Sequence, residues 1–213
     1  MSKNIKWVTT PGGKEGGHIK YLFDNNAALS CYDHSYGVSR VYLDRNKNDI
    51  GYNFDCNVYE SPSAAASNTK LSSKIPIGNG EAYLLKDLAI NCDNKPLIGF
   101  KLKEEGDQMY YEYKCGNKEL VNSKTHQTDY HDSGVSNGYP TYDLSYHKLN
   151  CDKGFLTKFN LETNEDKSQH RYNYTCADSP DETWIVVLVV VGIFVGLIVI
   201  VLVYTAINSA LNR

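Results

Sequence analysis

The sequence predicts an all-β body of three tandem antiparallel β repeats, each of about 60 residues with one internal disulfide, followed by one C-terminal transmembrane helix. Three observations carry this: six cysteines on a common period, apolar residues alternating with polar ones around them, and an uncharged apolar run near the C-terminus. Lys and Arg number 22 against 25 Asp and Glu, a net charge of −3, which argues against an electrostatically driven nucleic-acid partner. All the acidic residues, and all the basic ones except Arg213, precede Trp184. A polar body and an apolar segment therefore sit side by side in one chain.

The elements follow in chain order. Residues 1–17, with Pro11-Gly-Gly and Gly16-Gly17, read as a flexible arm. Lys14 belongs to no phosphate-binding loop, because the full Gly-rich pattern and its following helix are missing. The body spans 18–183, with repeat 1 at 18–60, repeat 2 at 79–118, repeat 3 at 139–178 and connectors between them. Cys31, Cys92 and Cys151 recur at a period near 60, and so do Cys56, Cys115 and Cys176. An apolar residue stands two positions before the first cysteine of each pair: Leu29, Ile90 and Leu149. A tyrosine recurs further upstream as Tyr21, Tyr83 and Tyr142.

After each first cysteine comes an apolar pair, Val41/Leu43, Phe100/Leu102 and Phe159/Leu161. Each unit closes on an aromatic-x-aromatic-x-Cys motif: Tyr52/Phe54/Cys56, Tyr111/Tyr113/Cys115 and Tyr172/Tyr174/Cys176. A period of two places these side chains on one face of a half-buried strand. Charged stretches at Asp44–Asp49, Lys103–Gln108 and Glu162–Gln169 read as hairpin turns, so each unit is expected to be a small antiparallel meander. Six cysteines allow fifteen pairings, and the repeat selects Cys31–Cys56, Cys92–Cys115 and Cys151–Cys176. No C-x-x-C pair occurs, which disfavours zinc. The connectors 61–80 and 117–140, rich in Ser, Asn and Gly, read as loops.

Residues 184–204 hold no charge and no proline. As a helix they cover roughly 30 Å, the thickness of a bilayer's hydrocarbon core. Trp184 and Tyr204 are the expected interface anchors, and Gly192 with Gly196 forms a small-xxx-small motif suited to helix packing and self-association through the span. The N-terminus has no apolar run and no Gly at position 2, so neither a cleavable signal nor myristoylation is expected. Anchoring is expected at the C-terminal end, with a short tail at 205–213. Arg213 alone gives a weak preference for a cytosolic tail.

No nucleophile elbow, His-Glu-x-x-His or dinucleotide fingerprint is present, and a non-enzymatic protein without cofactor or metal is expected. His126, Asp129, His131 and Asp132 could approach a divalent ion, but they read as an ordinary polar loop, unmatched in the other connector. Asp44-x-Asn46-x-Asn48 with Asp55 resembles a calcium loop, yet Asp49 occupies the position that needs glycine. Most of the 17 tyrosines follow the core phase, while Tyr32, Tyr36, Tyr130 and Tyr139 fall outside it and are open to a partner. Asn173-Tyr-Thr175 is a glycosylation sequon inside the last strand motif and is expected to stay unmodified.

With paired cysteines in the N-terminal body, no signal peptide and a C-terminal span, the chain resembles the tail-anchored membrane proteins of large double-stranded DNA virus particles. The resemblance lies in architecture, not in a specific motif. It implies a protein of the virion's internal membrane, embedded in lipid and facing a capsid-type protein layer. Such viruses carry their own thiol oxidation system, which allows disulfides on a cytosol-exposed domain. The best-known poxviral entry proteins are helical and partly myristoylated, so an entry role is not implied. A non-enzymatic structural protein linking a membrane to an adjacent protein layer is the expected function, with a cell-surface adhesion or lectin-like module as the alternative. Partner contacts are expected from the connectors and the arm. Removing residues 184–213 should release a soluble body that no longer floats with vesicles and keeps its β-type circular dichroism. Aggregation with loss of that spectrum would show that the span completes the core.

Overall fold

The computed structural model describes residues 19–23, 29–31, 36–46, 49–58, 67–132, 140–180, 196 and 198–200. Repeat 1 contributes a 3-10 turn at Ile19–Leu22 and strands β1 (Leu29–Ser30), β2 (Tyr36–Asn46) and β3 (Asp49–Val58). Next come β4 (Ser67–Leu71) and β5 (Ile75–Pro76), a 3-10 helix at Ala82–Asp87, β6 (Ala89–Asn91), β7 (Leu97–Glu105) and β8 (Gln108–Gly116). The third set is β9 (Val121–Gln127), β10 (His131–Asp132), α1 (Pro140–Asp143) with a 3-10 turn at Leu144–Tyr146, β11 (Lys148–Asn150), β12 (Phe155–Thr163) and β13 (Gln169–Asp178).

The long strands form where the alternation lies. Val41 and Leu43 on β2, Phe100 and Leu102 on β7, and Phe159 and Leu161 on β12 are all buried. Each long strand pairs antiparallel with its successor, giving hairpins β2–β3, β7–β8 and β12–β13. The turn between β7 and β8 begins at Gly106, whose φ of 65° suits a residue without Cβ.

The units are not self-contained meanders. β1 pairs with β7, placing Leu29 opposite Phe100; β6 pairs with β12, placing Ile90 opposite Phe159; and β11 pairs with β2, placing Leu149 opposite Val41. Every unit thus lends its first short strand to the hairpin of another, and the third closes back onto the first. Period-2 patterning assigns a residue to a face but not to a partner strand, so the exchange is invisible to it.

A β-bulge marks the junction each time. Register shifts leave Ser39, Ile98 and Thr157 as the extra residues of β2, β7 and β12. Their carbonyls are turned out of the hairpin ladder and accept the backbone N–H of Cys151, Cys31 and Cys92, each at 2.8 Å. The cysteine sulfurs then bond in the other direction. Cys31–Cys56, Cys92–Cys115 and Cys151–Cys176 are the three disulfides, with Cα separations of 5.9, 5.5 and 5.4 Å. The pairing is the one the repeat selects, but each bond joins two different sheets, because the first cysteine follows a strand lent to another hairpin.

Where these sheets face each other, the aromatic residues pack edge to face. Phe100 meets Tyr52, Tyr111 and Phe159 at centroid distances of 5.1, 5.8 and 5.2 Å, and Phe159 meets Tyr172 at 6.0 Å. Such contacts stabilise by about 0.5–1.5 kcal/mol each beyond the area they bury. The position filled by Phe100 and Phe159 holds Val41 in repeat 1, and Val41 lines a cavity of about 20 Å³ with Tyr52, Phe100, Phe159 and Tyr172.

The connectors are not plain loops. β4 and β5 lie along β8, and β9 and β10 lie along β13, so both connectors extend their sheets at the outer edge. All seven residues of β9 are exposed, so its side chains carry no apolar alternation and only its backbone reports a strand. The calcium-like pattern at Asp44–Asp55 falls on the β2–β3 hairpin: Asp44 lies opposite Gly51, and Asp55 pairs with Arg40 at 2.6 Å.

The chain divides into two units, Met1–Ser179 and Pro180–Arg213. In the second, Gly196 and Ile198, Val199 and Ile200 are helical, and those three aliphatic side chains are exposed. Among the described residues no helix is long and apolar enough to cross a membrane. Trp184, Gly192 and Tyr204 lie outside the described residues, as do most of the expected span and the arm 1–17.

Replacing both cysteines of any one bond by alanine should cost about 3.5 kcal/mol in urea denaturation, the loop-entropy value for bridges of this spacing. Non-reducing peptide mapping should recover the three pairs above. An abundant peptide with any other pairing would contradict the ring.

Candidate functional site

Repeats 2 and 3 share one local design, and they differ where four side chains meet. Four residues before the first cysteine stands Leu88 in repeat 2 and His147 in repeat 3; eight before it stand Leu84 and Asp143. Two residues before the first tyrosine of the closing motif stand Met109 and His170. Cross-strand pairing supplies the fourth position: Ile75 lies opposite Met109, and His131 lies opposite His170. An apolar quartet in repeat 2 is thus three histidines and an aspartate in repeat 3.

These groups come from separate elements. β10 supplies His131, α1 ends in Asp143, the turn after it delivers His147, and β13 carries His170. Their rings touch: His147 lies 4.8 Å from His170 and 5.3 Å from His131 between centroids, with His131 stacked on Tyr146 at 5.2 Å. His147 and His170 are only 1% and 2% exposed. Thr128 Oγ1 lies 2.9 Å from His147 Nδ1 and accepts the Tyr172 backbone N–H at 2.9 Å. Nε2 of His147, Nε2 of His170 and Oδ2 of Asp143 are buried without a hydrogen-bond partner among the described residues.

Burial, together with His170 and His131 beside it, pushes the His147 imidazole down to about 3. Burial likewise lowers His170 to about 4, although its hydrogen bond to the Asp143 backbone works the other way. Burial raises the Asp143 carboxyl to about 6, with the Asp132 charge adding to the effect and His131 opposing it. At neutral pH the buried pair of imidazoles is therefore uncharged. Nearer the centre of the body, burial raises the hydroxyls of Tyr52, Tyr111 and Tyr172, with Tyr172 adding to the effect at Tyr52 and both Tyr52 and Tyr172 adding to it at Tyr111.

The side chains singled out in the sequence are redistributed. His126 sits on the exposed strand β9, stacked on Tyr174 at 5.3 Å, while His131 turns to the cluster above. Among the described residues no group of three histidine, cysteine or carboxylate side chains is placed to hold a metal ion. Tyr36 is partly buried and packs against the core; Tyr130 is exposed, with the Arg171 guanidinium 4.4 Å from its ring centre. Tyr32 and Tyr139 lie outside the described residues. Tyr146, half exposed, is an aromatic surface residue that the sequence pattern did not single out. Asn173 lies within β13, between β12 and β9, and its amide donates to Glu162 Oε1 at 2.9 Å. A glycan there would have to displace that bond.

Compared with family models, curated proteins and solved structures, the chain matches none. The reading of its function rests on its own residues.

Thr128→Val keeps the volume but leaves the His147 ring nitrogen and the Tyr172 amide without their oxygen. A loss of about 1–3 kcal/mol is expected in urea denaturation at pH 7. An unchanged midpoint would show that the hydroxyl is not part of the cluster's support.

Proposed function

We propose that this protein is a non-enzymatic, membrane-anchored structural protein whose disulfide-tied β body links a membrane to an adjacent protein layer, as in the internal membrane of a virus particle. The observation that carries the reading is the combination of a ring of three cross-linked sheets with connectors laid along its outer edges. β9 presents Asn122, Ser123, Lys124, Thr125, His126 and Gln127 to solvent from a backbone paired to β13. Polar side chains held at fixed strand spacing suit a docking surface better than the same residues on a free loop, because less ordering entropy is lost on contact. The uncharged run at 184–204 supplies the anchor in this reading.

A second reading, a lectin-like adhesion module, draws on Tyr130 with Arg171 over its ring and on the half-exposed Tyr146 stacked on His131. Exposed aromatic faces beside polar groups suit sugar rings.

Lys124→Glu combined with His126→Glu in the full chain distinguishes the two. The structural role predicts that vesicle flotation is retained while co-purification with the neighbouring protein layer falls at least tenfold. Unchanged co-purification would place the contact elsewhere. Loss of glycan binding on Tyr130→Ala and Tyr146→Ala, with layer association intact, would favour the adhesion module. Turnover of any substrate would overturn the non-enzymatic reading.

A further inference from the structure

Sheet pairing makes repeat 2 a reference for repeat 3, and the substitution of Ile75, Leu84, Leu88 and Met109 by His131, Asp143, His147 and His170 is confined to one spot. Burying imidazoles where leucine and methionine serve elsewhere is costly: two ring nitrogens and a carboxylate oxygen are left without partners among the described residues. Ordinary packing selects against such a patch. It gains a purpose if its protonation is used.

We propose that the third repeat is an acid-labile element of the body, in which protonation of the buried His147/His170 pair releases β10 and the α1 segment from β13 while the repeat 2 sheet stays closed. Every packed element contributes to the balance. β10 brings His131 and Asp132, α1 brings Asp143, and the following turn brings Tyr146. Tyr172 of β13 meets the His147 ring at 5.5 Å, and Tyr42 and Tyr52 from the β2–β3 hairpin share the cavity that His147 lines. Lys148, which follows His147 in the chain, sits over Tyr42 at 5.1 Å. Asp132 acts on the His170 imidazole and on the Asp143 carboxyl, while Glu162 of β12 is taken up by Arg171 of β13 at 3.0 Å.

The histidines fold with values of about 3 and 4, below their ordinary 6.5, so the opened state binds more protons once pH falls below about 6.5. Stability from this pair is therefore fully present above that pH and is lost as pH falls toward 4. Asp143 acts oppositely: raised to about 6, it takes up its proton in the closed state first and offsets part of the loss between about pH 6 and 4. Two imidazoles against one carboxyl leave a net rise in the opening equilibrium of about fifty-fold between pH 7 and pH 5.

Hydrogen exchange of the full chain in detergent, corrected for intrinsic rates, tests this. Peptides reporting on 128–132 and 141–147 should lose about fifty-fold protection between pH 7 and pH 5, while 72–88 and 108–116 change little. His147→Leu with His170→Met, the residues of repeat 2, should abolish the difference. Equal loss in both repeats, or a pH response that survives the double substitution, overturns the proposal. If the double variant fails to fold, the comparison of the two repeats in the unaltered chain decides it.

Discussion

The structure depends on where one backbone amide and one sulfur of the same cysteine are sent. In each unit the first cysteine gives its N–H to the bulged residue of another hairpin and its sulfur to its own hairpin. One residue thereby fixes the distance between two sheets by a hydrogen bond on one side and a covalent bond on the other. Repeated three times, the arrangement leaves no hairpin without a borrowed strand. The short strands, two or three residues long, could not hold their places by ladder bonds alone. The bulge is what exposes the accepting carbonyl, so it is a working part of the junction and not an irregularity of it.

The aromatic interior follows from this closure. Phe100 and Phe159 reach each other because the hairpins that carry them are held side by side. The valine in the third equivalent place leaves the small cavity between Tyr52 and Tyr172. Departures from threefold likeness are therefore informative. One is a lost volume at Val41; the other is the polar cluster of repeat 3, which exchanges apolar packing for groups that respond to protons.

Much of the strand plan was legible in the sequence. The cysteine period, the Leu-x-Cys step and the aromatic alternation located the long strands and chose the disulfide pairs, since these features depend on local periodicity and on comparing copies. The exchange of β1, β6 and β11 was not legible, because Leu29, Ile90 and Leu149 present the same face whichever hairpin receives them. Nor were β4 and β9, whose polar side chains carry no trace of the pairing their backbones make. The histidine cluster was hidden for a third reason: His131, His147 and His170 lie on three segments, and only the pairing of His131 with His170 shows that they replace Ile75 and Met109. In the sequence His131 stands beside His126, which in the structure stacks on Tyr174 instead of joining the cluster.

Cyclic lending of strands also bears on how the chain is made. During synthesis the first hairpin emerges early, yet the strand that covers the edge of β2 is residues 148–150, with Leu149 settling opposite Val41. That contact spans most of the body, and contacts of such long sequence separation slow folding and prolong the exposure of unpaired strand edges. An arrested chain ending after repeat 2 would carry two complete hairpins and an open seam, vulnerable to pairing with a second nascent chain. The last-made part of the body is thus the part that seals the first.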